Sequence, residues 1–114
     1  MGLAHRVEDD VGIIAIQGDF DTKSTRVLQQ YIRTLLDSEQ LKAIVLNLKR
    51  VERLDSSGIG MLMEQHKLLE KNNSLLLLSN CHPAYLEILQ MMQWDQVLHL
   101  FQTEEDALAS LSIP

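Results

Sequence analysis

The chain has 114 residues, 46% of them apolar and 23% charged, with a formal net charge of −6. That is the size and balance of one globular domain over 1–114 with a modest core. Sixteen acids against ten Lys and Arg, with no basic cluster, argue against nucleic acid and against a basic-patch membrane contact.

The remaining exclusions come from particular stretches. No apolar run approaches the roughly 18 residues needed to cross a bilayer. Met1 to Arg6 contains no signal-peptide core. A single cysteine, Cys81, allows no internal disulfide and fits a reducing cytoplasm.

Leu3 to Val7 reads as the hairpin partner of a β-branched strand, Val11 to Gln17, with Asp9-Asp10 as the turn and Gly18 ending the strand. Val27/Leu28, Tyr31/Ile32 and Leu35/Leu36 recur every four residues, which predicts an amphipathic helix over 22–37 capped by Asp21 or Thr22. Ala43 to Leu48 is a second apolar strand. A helix follows from about Ser57 to Lys71, and Asn72-Asn73 suits its left-handed end. Leu75 to Leu78 is apolar on both faces and too short for a helix, so it reads as a strand covered by helices. Pro83 opens a third helix to about Met92, whose end Met91, Met92 and Trp94 are expected to pack. Val97 to Leu100 is a short last strand. Thr103 caps a final helix, with Asp106 at the capping-box position and acids at the positive end of the dipole. A hairpin followed by alternating helix and strand predicts an α/β fold: a mostly parallel mixed sheet of about four to five strands with about four helices.

The templates of catalysis are missing. There is no G-x-x-x-x-G-K-S/T loop, no G-x-G-x-x-G fingerprint beyond the fragment Gly58-Ile59-Gly60, and no G-x-S-x-G elbow. His5, His66, His82 and His99 show no i, i+4 pairing with one another, so no metal site is read. His66 falls on the apolar face of its helix, where a satisfied, partly buried histidine is expected. No two of the acids stand out as a catalytic pair.

The informative stretch is Arg53 to Gly60. Ser56 or Ser57 can cap the helix through its hydroxyl. Gly58 and Gly60 each cost roughly 1 kcal/mol relative to Ala within a helix. They leave room for a close approach by another backbone or a phosphate. A phosphate here would add roughly −1.5 to −2 charges at the positive end of a helix dipole. The fold tolerates that charge; a docked partner would not. On the helix that follows, Ile59, Leu62, Met63, His66 and Leu69 face the core. Ser57, Met61, Glu64 and Leu68 then form an outward stripe, a candidate docking surface.

These residues resemble a known family. Gly18-Asp19-Phe20-Asp21, Ile44 to Leu48 with Val51, Leu54-Asp55-Ser56-Ser57-Gly58-Ile59-Gly60, His82-Pro83 through Leu89 and Phe101 through Ala107 carry the likeness over nearly the whole length. They are similar to STAS-domain proteins, specifically stand-alone bacterial anti-sigma factor antagonists. Asn72-Asn73 stands where the family usually has glycines, Gln93-Trp94 where a glycine and a small aliphatic are usual, and Ile59 for the commoner leucine. The resemblance implies a STAS-type fold and a phosphorylated serine directly after the Asp, here Ser56. It implies a partner that is both anti-sigma factor and serine kinase, release of that partner on phosphorylation, and reversal by a PP2C-type serine phosphatase. The implied footprint is Asp21, Thr22, Asp55, Ser56, Ser57, Gly58, Gly60, Met61 and Glu64, to which the outward stripe adds Leu68.

The expected function is therefore a phosphorylation-switched anti-sigma factor antagonist in the cytoplasm, a kinase substrate and not an enzyme, with no cofactor and no metal. The alternative is a STAS scaffold or accessory subunit of a stress-signalling assembly or transporter complex, without a reversible serine switch. The intact Asp55-Ser56 pair argues against that alternative.

Overall fold

The computed structural model describes residues 1–112. Strands β1 (Gly2–Glu8) and β2 (Val11–Phe20) form the antiparallel hairpin. Asp9 turns the chain with φ 54, a left-handed conformation that a short polar side chain tolerates. Then come α1 (Thr22–Ser38), β3 (Ala43–Leu54), α2 (Ser56–Lys71), β4 (Leu75–Ser79) and α3 (Pro83–Met91). A single 3₁₀ turn (Trp94–Gln96), β5 (His99–Phe101) and α4 (Glu104–Leu111) complete the described chain. The sheet order is β1-β2-β3-β4-β5, and every pairing after the first is parallel.

Alternation along β3 divides the core. Ile44, Leu46 and Leu48 join Leu28, Ile32, Leu62, Leu69 and Leu89 in the larger cluster, under α1, α2 and α3. Ala43 and Val45 point the other way, to Val11, Ile13, Leu77 and Ala107 of α4. Burial on both faces is why the central strands read as unbroken apolar runs.

Two strands run further than their composition suggests. Strand β2 continues through Gly18 to Phe20, and β3 continues to Leu54. The β2–β3 register shifts between Ala15 and Gln17 and again between Gly18 and Asp19, and Gly18 takes φ 99. The glycine therefore marks a bulge that bends the strand and does not end it. The shifts leave Phe20 opposite Leu54, so the next residues, Asp21 and Asp55, emerge side by side at one sheet edge.

The C-terminal half departs from expectation in detail. Strand β5 covers His99–Phe101 and not 97–100. Met91 and Met92 do not pack the end of α3: they are 80% and 43% exposed, and Trp94 alone of the three rests on the core. The helix stops at Met91, and Gln93, at φ 60, turns the chain before the 3₁₀ turn brings Trp94 inward.

Helix α2 sits directly on the end of β2. A Cβ at Gly58 would stand 2.6 Å from Phe20 Cδ1, 2.7 Å from Leu54 Cδ1 and 2.8 Å from the Phe20 carbonyl oxygen. Backbone does not yield to such a contact, so Gly58→Ala should destabilise the fold by about 1–3 kcal/mol, read as a lower urea midpoint at unchanged slope. An unchanged midpoint would mean that α2 is not seated this way.

Glu104, in the first turn of α4, ties three elements together. Its carboxylate accepts from Arg6 of β1 and, at 2.9 Å, from Asn47 Nδ2 of β3. Burial pushes this carboxyl up, but the bonds from Arg6 and Asn47 and the Arg6 charge outweigh it and hold the group below its usual range. A carboxyl depressed in the folded state stabilises above its unfolded value, about 4.3 for Glu, and that stability is lost as pH falls through the folded value. Glu104→Gln should therefore lower the urea midpoint at pH 7, and the gap to the parent should shrink as the pH drops toward 3.

Candidate functional site

The site is built where two helix N-termini meet at the C-terminal ends of two adjacent parallel strands, the edge at which open α/β sheets commonly bind ligands. Asp21 caps α1: its Oδ1 accepts from Ser24 N at 3.0 Å and Ser24 Oγ at 2.8 Å. Asp55 caps α2 through Oδ1, which accepts from Gly58 N at 3.0 Å and from Ser57 Oγ at 2.6 Å. The cap is thus the aspartate and neither serine, because β3 ends at Leu54 and leaves Asp55 at the junction. Asp55 N donates to the Phe20 carbonyl at 3.3 Å, fixing the loop to the end of β2.

The two serines differ. Ser57 gives its only proton to Asp55, so the 3.1 Å contact with Thr22 Oγ1 is a bond donated by Thr22. That bond joins the first turns of α1 and α2. Ser56 is the first residue of α2 and exposed, and among the described residues nothing bonds its hydroxyl.

Both aspartates are held ionised. The Ser57 hydroxyl and then the Gly58 amide push the Asp55 carboxyl down, and the nearby Asp21 charge opposes them. The Ser24 amide and hydroxyl push Asp21 down. A general base works best near the operating pH; Asp55 is moved away from it. The Asp55–Ser57 pair holds a loop in place and does not activate a nucleophile. Cys81 is equally unreactive, since burial pushes its thiol up to about 11.

Of the residues expected here, the structure brings together Asp21, Thr22, Asp55, Ser56, Ser57 and Gly58. Gly60 and Glu64 follow on α2, and Leu68 is 38% exposed beyond them. A groove between α1 and α2, lined by Arg26, Arg33, Glu64, Lys67 and Leu68, runs away from the serines. Met61 does not belong to this surface: it is 1% exposed, on the side of α2 that also buries Leu62 and Gln65. Helix α1 lies beside α2, so more than the sheet-facing side of this helix is covered.

The glycines also divide. The space at Gly58 is filled from within by Phe20 and Leu54, whereas a Cβ at Gly60 would meet nothing within 4 Å. Only Gly60 leaves its space to an outside group.

Phe20 and Ser24 are structural members of the site that sequence reasoning did not place there. Ser24 had a readable signal, three residues after a capping aspartate. Phe20 had none, because its role depends on strand register.

Known proteins share this fold. The anti-sigma factor antagonist SpoIIAA in its unphosphorylated form is 21% identical with a TM-score of 0.80, covering 96% of this chain and 96% of that one. The phosphorylated form from Bacillus is 20% identical with a TM-score of 0.75, covering 97% and 100%. A sulfate transporter family protein of Wolinella succinogenes is 26% identical with a TM-score of 0.79, covering 92% of this chain and 87% of that one. An anti-sigma F factor antagonist of Paenibacillus polymyxa is 23% identical over 115 residues, 99% of this chain and 98% of that protein. The STAS domain model matches residues 3–107, and the chain belongs to that family.

Proposed function

We propose that the chain is an anti-sigma factor antagonist of a partner-switching pathway, acting as one STAS domain in the cytoplasm. Membership of this family makes it a binding protein and not an enzyme. The unphosphorylated form binds an anti-sigma factor that is also a serine kinase. The kinase phosphorylates Ser56, the complex parts, and a PP2C-type phosphatase restores the serine.

The observation that carries this reading is the free Ser56 hydroxyl beside a fully committed Ser57. Phosphate on Ser57 would break the bond to Asp55 and the bridge to Thr22. Phosphate on Ser56 breaks neither, and it gains from the positive end of α2. The names of the relatives agree: two are anti-sigma factor antagonists, and one of these also exists in a phosphorylated form. The partner's footprint comprises Asp21, Thr22, Asp55, Ser56, Ser57, Gly60, Glu64 and Leu68; Gly58 and Met61 are removed from it by burial.

A second reading, a STAS subunit of a transporter assembly without a reversible switch, draws on the likeness to the sulfate transporter family protein. Affinity capture separates the two: a serine kinase recovered with the chain supports the first, and a membrane transporter supports the second.

Incubation with the partner kinase and ATP should label Ser56, and Ser56→Ala should remove the label. Ser56→Asp should weaken the complex while leaving the thermal midpoint nearly unchanged. Label that persists in Ser56→Ala, mapped to Ser57 by mass spectrometry, would sink the assignment.

Gly60→Ala separates docking from folding. Nothing inside the chain opposes the added methyl, and alanine in a helix is favoured over glycine by about 0.8–1 kcal/mol. The variant should fold at least as stably, yet bind the kinase about tenfold more weakly, or about 1.4 kcal/mol, by calorimetry. Undiminished affinity would remove Gly60 from the interface.

A further inference from the structure

We propose that His66, Glu70 and His99 form a binding site for a divalent transition metal, with Zn²⁺ the ion that fits best. His66 and Glu70 are one turn apart on α2 and so share a face. His99 opens β5, the edge strand of the sheet. One ring nitrogen from each histidine and a carboxylate oxygen of Glu70 lie within 4.8 Å of one another. The two rings approach edge to face at 5.5 Å between centroids.

The cluster is under-satisfied as it stands. His66 is 3% exposed, and its Nδ1 is buried with no hydrogen-bond partner; His99 Nε2 is buried and unpartnered too. Buried polar atoms in native proteins are nearly always bonded. Two of the five unpartnered atoms among the described residues fall on this one pair of rings, which concentrates the unmet demand here. The one polar contact within the group, His66 Nε2 to Glu70 Oε1, is 3.4 Å, longer than an ordinary hydrogen bond.

The donor set selects the ion. Two imidazoles and one carboxylate suit Zn²⁺, whereas Ca²⁺ and Mg²⁺ take oxygen ligands. Zinc binds such donors at about 2.0–2.2 Å, which brings tetrahedral ligands to about 3.3–3.5 Å from one another. His66 Nε2 and Glu70 Oε1, at 3.4 Å, already stand at that spacing, so the rest of the spread, about an ångström, is closed by His99. Three protein ligands leave the fourth position to water, and the exposed carboxylate gives the ion its way in. The site lies roughly 15 Å along α2 from Ser56, at about 1.5 Å per residue. Metal would staple the C-terminal half of α2 to the edge strand and leave the serines untouched.

The test uses the full chain, stripped with chelator and then titrated with Zn²⁺ by calorimetry, with bound metal counted after dialysis. One zinc per chain and a raised thermal midpoint are expected. Glu70→Gln and His99→Gln lie outside the fully buried core. Each should weaken binding by about tenfold or more with an unchanged circular dichroism spectrum. A Cys81→Ser/His82→Gln double variant should bind as the parent does, and Mg²⁺ should give no signal. No uptake at millimolar zinc overturns the site. So does uptake that both single variants retain, or that the double variant abolishes.

Discussion

The arrangement rests on one register: Phe20 of β2 opposite Leu54 of β3. Two shifts earlier in this pairing bring both strands to the same edge, so that each hands an aspartate to the first turn of the next helix. A register slip of one residue would turn side chains to the opposite face of the sheet and separate the caps. The Thr22–Ser57 bridge and the seat of Gly58 on Phe20 both follow from that pairing. The two helix starts are therefore tied into one unit by the Thr22–Ser57 bond.

That packing separates glycines that look alike in sequence. Gly58 serves the fold, since any side chain there would strike Phe20 and Leu54. Gly60 serves no internal contact, yet it carries the usual backbone penalty of a helical glycine, about 0.8–1 kcal/mol relative to alanine. A position that weakens a helix without helping the core is where a surface requirement shows through. On the proposed reading, the close approach read from both glycines falls to Gly60 alone.

Much of this was legible from residue patterns, and the misses share a cause. The four-residue period of Val27/Leu28, Tyr31/Ile32 and Leu35/Leu36 located α1, and the shortness of Leu75 to Leu78 identified β4. The cap of α2 was read as Ser56 or Ser57 and is Asp55; the choice depends on where β3 stops, which the bulges decide. Met61 was misplaced because a helical wheel assumes one buried side, while α2 is covered by the sheet and by α1. Gly18 looked like a strand end and is a bend. Met91 and Met92 looked like core and are exposed, since apolar character alone does not say which way a short helix turns. His66 and His99 meet only because their elements are neighbours in space, which no local spacing reports.

On the proposed reading, the switch works through an asymmetry between fold and complex. The site already holds two ionised aspartates, in a chain of net charge −6. Phosphate on Ser56 adds roughly −1.5 to −2 further charges. Within the chain the positive end of α2 offsets part of this by roughly 0.3–1 kcal/mol, and water solvates the rest because the residue is exposed. In a complex the same group would lie at an interface that excludes water, where an unpaired charge costs several kcal/mol. The partner must also come close at Gly60, so it has little room to retreat from the phosphate. A modification almost neutral for folding is then decisive for binding, and it needs no conformational change in the antagonist.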